Sequence, residues 1–137
     1  MRRIFTLFIL LTFFAGCKKA IEQKKQDLII DAMTSGQWAI TNFTLNGSAI
    51  TSDFSGYKFQ YYSNKTVDAI KNGLVDKTGT WDGDAATKTT SANFPAAVNP
   101  LLYINGNWNI TNSSWTYVVA TQTVGATVKN MRLDKLP

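Results

Sequence analysis

From Gln37 onward, apolar residues recur at every second position. Trp38 and Ile40 share one parity, whereas Phe43 and Leu45 take the other. One extra residue near Thr41-Asn42 reconciles the two halves, so the pattern predicts a strand interrupted there by a bulge. Tyr57, Phe59 and Tyr61 alternate with Lys58 and Gln60, which predicts a strand with one buried face. Further short strands are predicted over 66–70, 78–81, 87–92 and 108–111. Trp115, Tyr117 and Val119 alternate with Thr116 to give another, and Met131 and Leu133 share a face of the last. Turn signals separate these runs at Asn46-Gly47, Ser63-Asn64-Lys65, Asn72-Gly73, Asp82-Gly83-Asp84, Asn112-Ser113-Ser114 and Gly125.

About eight short strands at this spacing define an all-β chain of antiparallel neighbours. Eight strands can close on themselves and remove the exposed edges that invite aggregation, so an eight-stranded up-and-down barrel is expected. Two stretches break the two-residue period. Leu28, Ile29, Ala32 and Met33 are spaced for one helical face and predict a short helix over 27–34. Residues 93–104 contain Pro95 and Pro100 and are read as a loop with one helical turn, exposing Phe94, Leu101 and Leu102.

The start of the chain follows a different logic. Arg2 and Arg3 precede an apolar run from Ile4 to Phe14, the length of a signal-peptide core and too short to span a bilayer. Phe14-Ala15-Gly16-Cys17 follows and resembles the bacterial lipobox, with Phe14 standing where Leu is commoner. The resemblance implies cleavage before Cys17 and diacylglycerol on its thiol. Each buried methylene contributes about 0.8 kcal/mol, so two or three acyl chains hold a protein stably. The expected organisation is a signal peptide over 1–16, a lipidated tether over 17–26 and one domain over 27–137.

Composition narrows the chemistry. The chain has no histidine, and its one cysteine, Cys17, cannot form an intramolecular disulfide. Triads built on imidazole and zinc sites built on Cys and His are excluded. The net charge of +5 is not a patch on the domain: from residue 36 onward eight Lys/Arg face six Asp. The excess lies in Arg2 and Arg3 and in Lys18, Lys19, Lys24 and Lys25 of the tether, so no nucleic-acid partner is expected. Asp82 and Asp84 around Gly83 suit a hairpin turn; a calcium loop needs six to eight oxygens, roughly, and no metal or other cofactor is expected. Most of the domain's aspartates sit in or beside turns, with no nucleophile, base and orienting group among them, so the chain is not expected to be an enzyme.

Gly36-Gln37-Trp38 opens the first strand, and Gly79-Thr80-Trp81 and Gly106-Asn107-Trp108 repeat the pattern. With the stretch Tyr57–Trp81, the segment Asn105–Ile110 and the closing strand, these residues resemble the small lipocalin-like lipoproteins of Bacteroidetes. The resemblance implies a lipocalin-like barrel whose first-strand Trp38 packs at the closed end beneath an arginine of the last strand, here Arg132; the alternative is an exposed Arg132. The aromatic residues have two readings. They fill the interior, or they line a cavity for a small apolar or aromatic molecule, with Tyr57, Phe59, Tyr61, Trp108, Trp115 and Tyr117 as the candidate lining. The expected function is that of an envelope lipoprotein held by Cys17 to the outer membrane, facing the periplasm, and binding such a ligand. The alternative is a packed barrel acting as a structural or protein-interaction module, hydrolase inhibition included.

Overall fold

The computed structural model describes the backbone of Arg2–Pro137 and the side chains from Cys17 onward. The signal-peptide expectation for 1–16 falls on side chains outside that range. Helix α1 spans Arg2–Thr34. The expected tether is therefore helical through residues 17–26, which join 27–34 without a break. Its Lys, Glu, Gln and Ala residues all favour helix, and nothing in them stops one.

Nine strands follow: β1 (Gln37–Leu45), β2 (Ser48–Ala49), β3 (Tyr57–Tyr61), β4 (Thr66–Lys71), β5 (Leu74–Asp84), β6 (Thr89–Asn93), β7 (Gly106–Ser113), β8 (Tyr117–Val124) and β9 (Thr127–Lys135). Each long strand pairs antiparallel with its successor, and β9 returns to pair with β1 from Trp38↔Lys135 to Leu45↔Lys129. The result is a closed eight-stranded antiparallel barrel with one N-terminal helix, and the two-residue β2 flanks the end of β1. The register of β1 against β9 shifts between Ile40 and Asn42, where the change of apolar parity requires it. β1 shares only Gln37↔Gln60 and Trp38↔Phe59 with β3, and that pairing ends before the bulge.

The two ends differ. At the end where β1 begins, the last turns of α1 lie across the opening. At the far end, a 3-10 turn over Thr51–Phe54 and the chain from Phe94 to Asn105 fold inward. Phe94 and Leu101 are 1% and 2% exposed, so the expected open loop is a plug; of the three apolar residues expected to be exposed, only Leu102 reaches solvent. Phe43 contacts Phe54 at 4.9 Å between ring centroids and meets Trp108 edge-on at 5.9 Å. The Asn105 side chain accepts from the Phe94 N–H and donates to the Phe94 carbonyl, standing in for a strand where none can pair. Two prolines suggested exposure, but apolar side chains and this amide pair override them.

Gly79 marks a close approach between β5 and the chain leaving β6. A Cβ built there would lie 2.3 Å from the Asn93 carbonyl oxygen and 2.8 Å from Phe94. Backbone cannot yield as a flexible side chain does, and overpacking costs roughly 1–3 kcal/mol. Gly79→Ala is therefore expected to lower the unfolding free energy by about 2 kcal/mol in a urea titration. A loss below about 0.5 kcal/mol would contradict this packing.

Candidate functional site

An apolar cavity of about 100 Å³ lies inside the barrel beneath α1. Ile29, Ala32 and Met33 of the helix form its roof, and Tyr61, Trp81, Trp108, Val118, Met131 and Leu133 are among its walls. An engineered apolar cavity of about 150 Å³ binds benzene, so this space, as closed, takes only a few carbon atoms. The interior is thus mostly filled, with a gap at the helix-covered end.

Three features set the roof in place. A Cβ at position 83 would lie 3.3 Å from the Ile29 side chain, so Gly83 lets Ile29 rest on the β5 backbone. The Gln26 amide donates to the Gly83 carbonyl and accepts from the Ala85 N–H at 3.0 Å, clasping α1 to the end of β5. The Trp38 indole N–H donates to the Met33 carbonyl at 3.0 Å, using a carbonyl that the helix end leaves without an intrahelical partner.

The sequence-predicted aromatics divide into three groups. Tyr61 and Trp108 line the cavity. Tyr57 and Phe59 are buried and stack on each other at 6.2 Å, but toward the far end, where Phe59 meets Phe94. Trp115 and Tyr117 are not interior. Trp115 is 52% exposed in the bend before β8, and Tyr117 faces outward beneath Arg132, whose guanidinium lies 4.6 Å from its ring centroid. In β8 the parity that faces inward is that of Val118, Ala120 and Gln122. Ala120 pairs with inward Met131 and Val118 with inward Leu133. The run Val118-Val119-Ala120 is apolar on both faces, so alternation alone could not choose the face.

The expected partner of Trp38 is also different. Arg132 pairs with outward neighbours and binds Asp134 through two hydrogen bonds of 2.9 and 3.0 Å. That carboxylate holds the guanidinium pKa above its usual value, and the Asp134 pKa is lowered in return. Lys135, directly opposite Trp38 in the ladder, lies over the indole at 5.1 Å from its centroid. Residues opposite each other share a face, so the register selects Lys135 and excludes Arg132, which has the outward parity of β9. Trp81 and Trp108 have the same dressing, with Lys65 at 5.0 Å and Lys129 at 5.5 Å.

Sequence reasoning did not assign Trp81 to the cavity. Its place in the second Gly-x-Trp was the available signal. Tyr61 is the one phenol on the cavity wall, and its hydroxyl has no hydrogen-bond partner among the described residues. Burial raises its pKa well above the ordinary tyrosine value. Among the described residues no group of three or more Asp, Glu, Cys or His side chains is placed to hold a metal ion.

No family model matches the chain, and no curated protein matches it. Among solved structures, a DUF4847 family protein from Bacteroides vulgatus is similar, with a TM-score of 0.54 at 12% identity. The match covers 80% of this chain and 99% of that one. At that identity the likeness is one of fold.

Two outcomes follow from this geometry. Tyr61→Phe removes a hydroxyl without orphaning a partner, so stability should stay within about 0.5 kcal/mol, whereas Trp108→Phe strips the Ile104 carbonyl of its donor and should cost about 1–3 kcal/mol, both read by chemical denaturation. Tyr57, buried and donating to Asp76 at 2.8 Å, has its pKa raised from 10.0 to about 12. A tyrosine whose folded pKa is raised keeps its proton longer folded than unfolded, so stability falls as pH rises from 10 toward about 12. That alkaline slope should become shallower in Tyr57→Phe.

Proposed function

We propose that this chain is a lipid-anchored protein of the bacterial cell envelope, attached through Cys17, whose lipocalin-like barrel binds a small apolar molecule beneath α1. The observation that carries the reading is the apolar cavity beneath α1, with the Tyr61 phenol on its wall. A concave, mostly apolar space with few polar groups is the usual form of a small-molecule site. Cys17 is exposed on α1, upstream of the segment that roofs the barrel, in keeping with an anchor at that end. The reading is of a binding protein and not an enzyme, in the outer membrane and facing the periplasm.

A second reading has its own observation. Leu74, Val75, Val98, Leu102, Val124 and Val128 are exposed, all on loops and hairpin tips of the far end. Scattered apolar tips pointing away from the anchor suit a surface that meets another envelope protein.

Two measurements on the chain purified from its own host separate these readings. Mass spectrometry should find acyl chains on Cys17, absent after Cys17→Ala. Native mass spectrometry should find a small apolar molecule at near-stoichiometric occupancy. A protein without added mass, with Ile29 and Trp81 resonances unmoved by added apolar molecules, leaves only the interaction reading.

A further inference from the structure

A groove of about 450 Å³ runs along the outside of α1, between the helix and the tips of β5 and β7. Ile29, Ile110 and Ser113 line both this groove and the internal cavity, so a wall one side chain thick separates the two spaces. Lys25 and Lys88 flank the groove, and neither has an ion-pair partner among the described residues. Asp84 also lines it, with Oδ1 accepting from the N–H groups of Ala86 and Thr87. The groove rim thus carries two free cations against one carboxylate engaged in its own turn.

We infer that the ligand is a single-chain amphiphile with an anionic head: the head lies in the groove between Lys25 and Lys88, and the tail passes Ile29 into the cavity beneath α1. The inference rests on the apolar-ligand reading and names the ligand's class. The cavity alone is too small for a whole amphiphile, but the end of a chain fits it, and the groove supplies the remaining volume. Ile29 is the part of the wall that belongs to no strand: it stands on α1, which the Gln26 clasp ties to the end of β5. Lys25 lies eight residues beyond Cys17 on one helix, about 12 Å at 1.5 Å per residue, so the groove sits close to the anchor, where membrane-borne amphiphiles are most concentrated.

The test holds the full chain in phosphatidylcholine nanodiscs and titrates it with ω-bromododecanoate and with ω-bromododecanol, following quenching of tryptophan fluorescence against protein-free discs. Bromine on the last carbon quenches Trp81 and Trp108 only when the tail enters the cavity. Both probes should quench, with the acid binding about tenfold more tightly, the scale of one charge-assisted contact. Lys25→Gln with Lys88→Gln should erase that difference and leave the alcohol unchanged; both lysines are exposed, so the fold is not at stake. Equal affinity of acid and alcohol, or a difference that survives the double substitution, overturns the anionic-head site while the apolar-ligand reading stands. Quenching by neither probe overturns both.

Discussion

Three indole N–H groups are buried in a dry interior, and each must find an acceptor there. The β-ladder cannot provide one, because its carbonyls are engaged between strands. The structure draws instead on carbonyls at places where regular pairing ends. Trp38 uses Met33 at the end of α1, Trp108 uses Ile104 at the end of a 3-10 turn, and Trp81 uses Tyr62 in the β3–β4 turn. The bonds to Met33 and Ile104 satisfy two groups at once, the indole donor and a carbonyl at an element's end, whereas the Tyr62 carbonyl also accepts from the Lys65 N–H. Each tryptophan therefore fixes a segment outside the strands to the barrel. Beside these contacts, α1 is tied by the Gln26 clasp and the far-end plug by the Asn105 and Lys129 hydrogen bonds.

The same three rings explain why a cationic residue recurs beside each. Lys135, Lys65 and Lys129 place their ammonium groups 5.0–5.5 Å from the indole centroids. Such contacts contribute about 0.5–2 kcal/mol, more as water is excluded. Lys129 is the most enclosed: its ammonium donates to the Tyr103 carbonyl at 2.8 Å, and desolvation lowers its pKa. A lysine there is electrostatically costly, and its position on the aromatic face offsets part of that cost. Lys135 and Lys129 lie six residues apart on β9, on the parity that faces the interior, so one strand covers two of the three indoles.

Much of the architecture was legible because local chemistry and global closure agree in it. The parity change between Ile40 and Phe43 required a bulge, and the register shift occurs there. Asn46-Gly47 and Asn72-Gly73 turn where left-handed backbone is needed, with positive φ at all four residues. The parts that were not legible are those where a residue's preference is decided by a neighbour distant in sequence. The inward face of β8 depends on its pairing with β9, and an apolar run carries no mark of it. Phe94 and Leu101 are buried because the far end is open to be filled, a fact of barrel geometry and not of the segment. The assignment of Arg132 to Trp38 failed on parity: inward Met131 and Leu133 force Arg132 outward, where Tyr117 and Asp134 receive it. That parity was already present in the sequence, but resemblance outweighed it.

The site follows from the asymmetry between the two ends. The far end is closed by covalently continuous chain between paired strands, so opening it would break the ladder or drag Phe54, Phe94 and Leu101 into water. The other end is closed by a helix that belongs to no strand pair and is held by the Gln26 clasp, the Trp38–Met33 bond and a few apolar contacts. Local opening free energy scales with the buried contacts that must be broken, so α1 is the element able to move while the barrel stays intact. The cavity lies under that element and not under the plug. A gap left at the far end would be sealed by the strand ladder; the one beneath α1 is separated from solvent by an element outside the ladder.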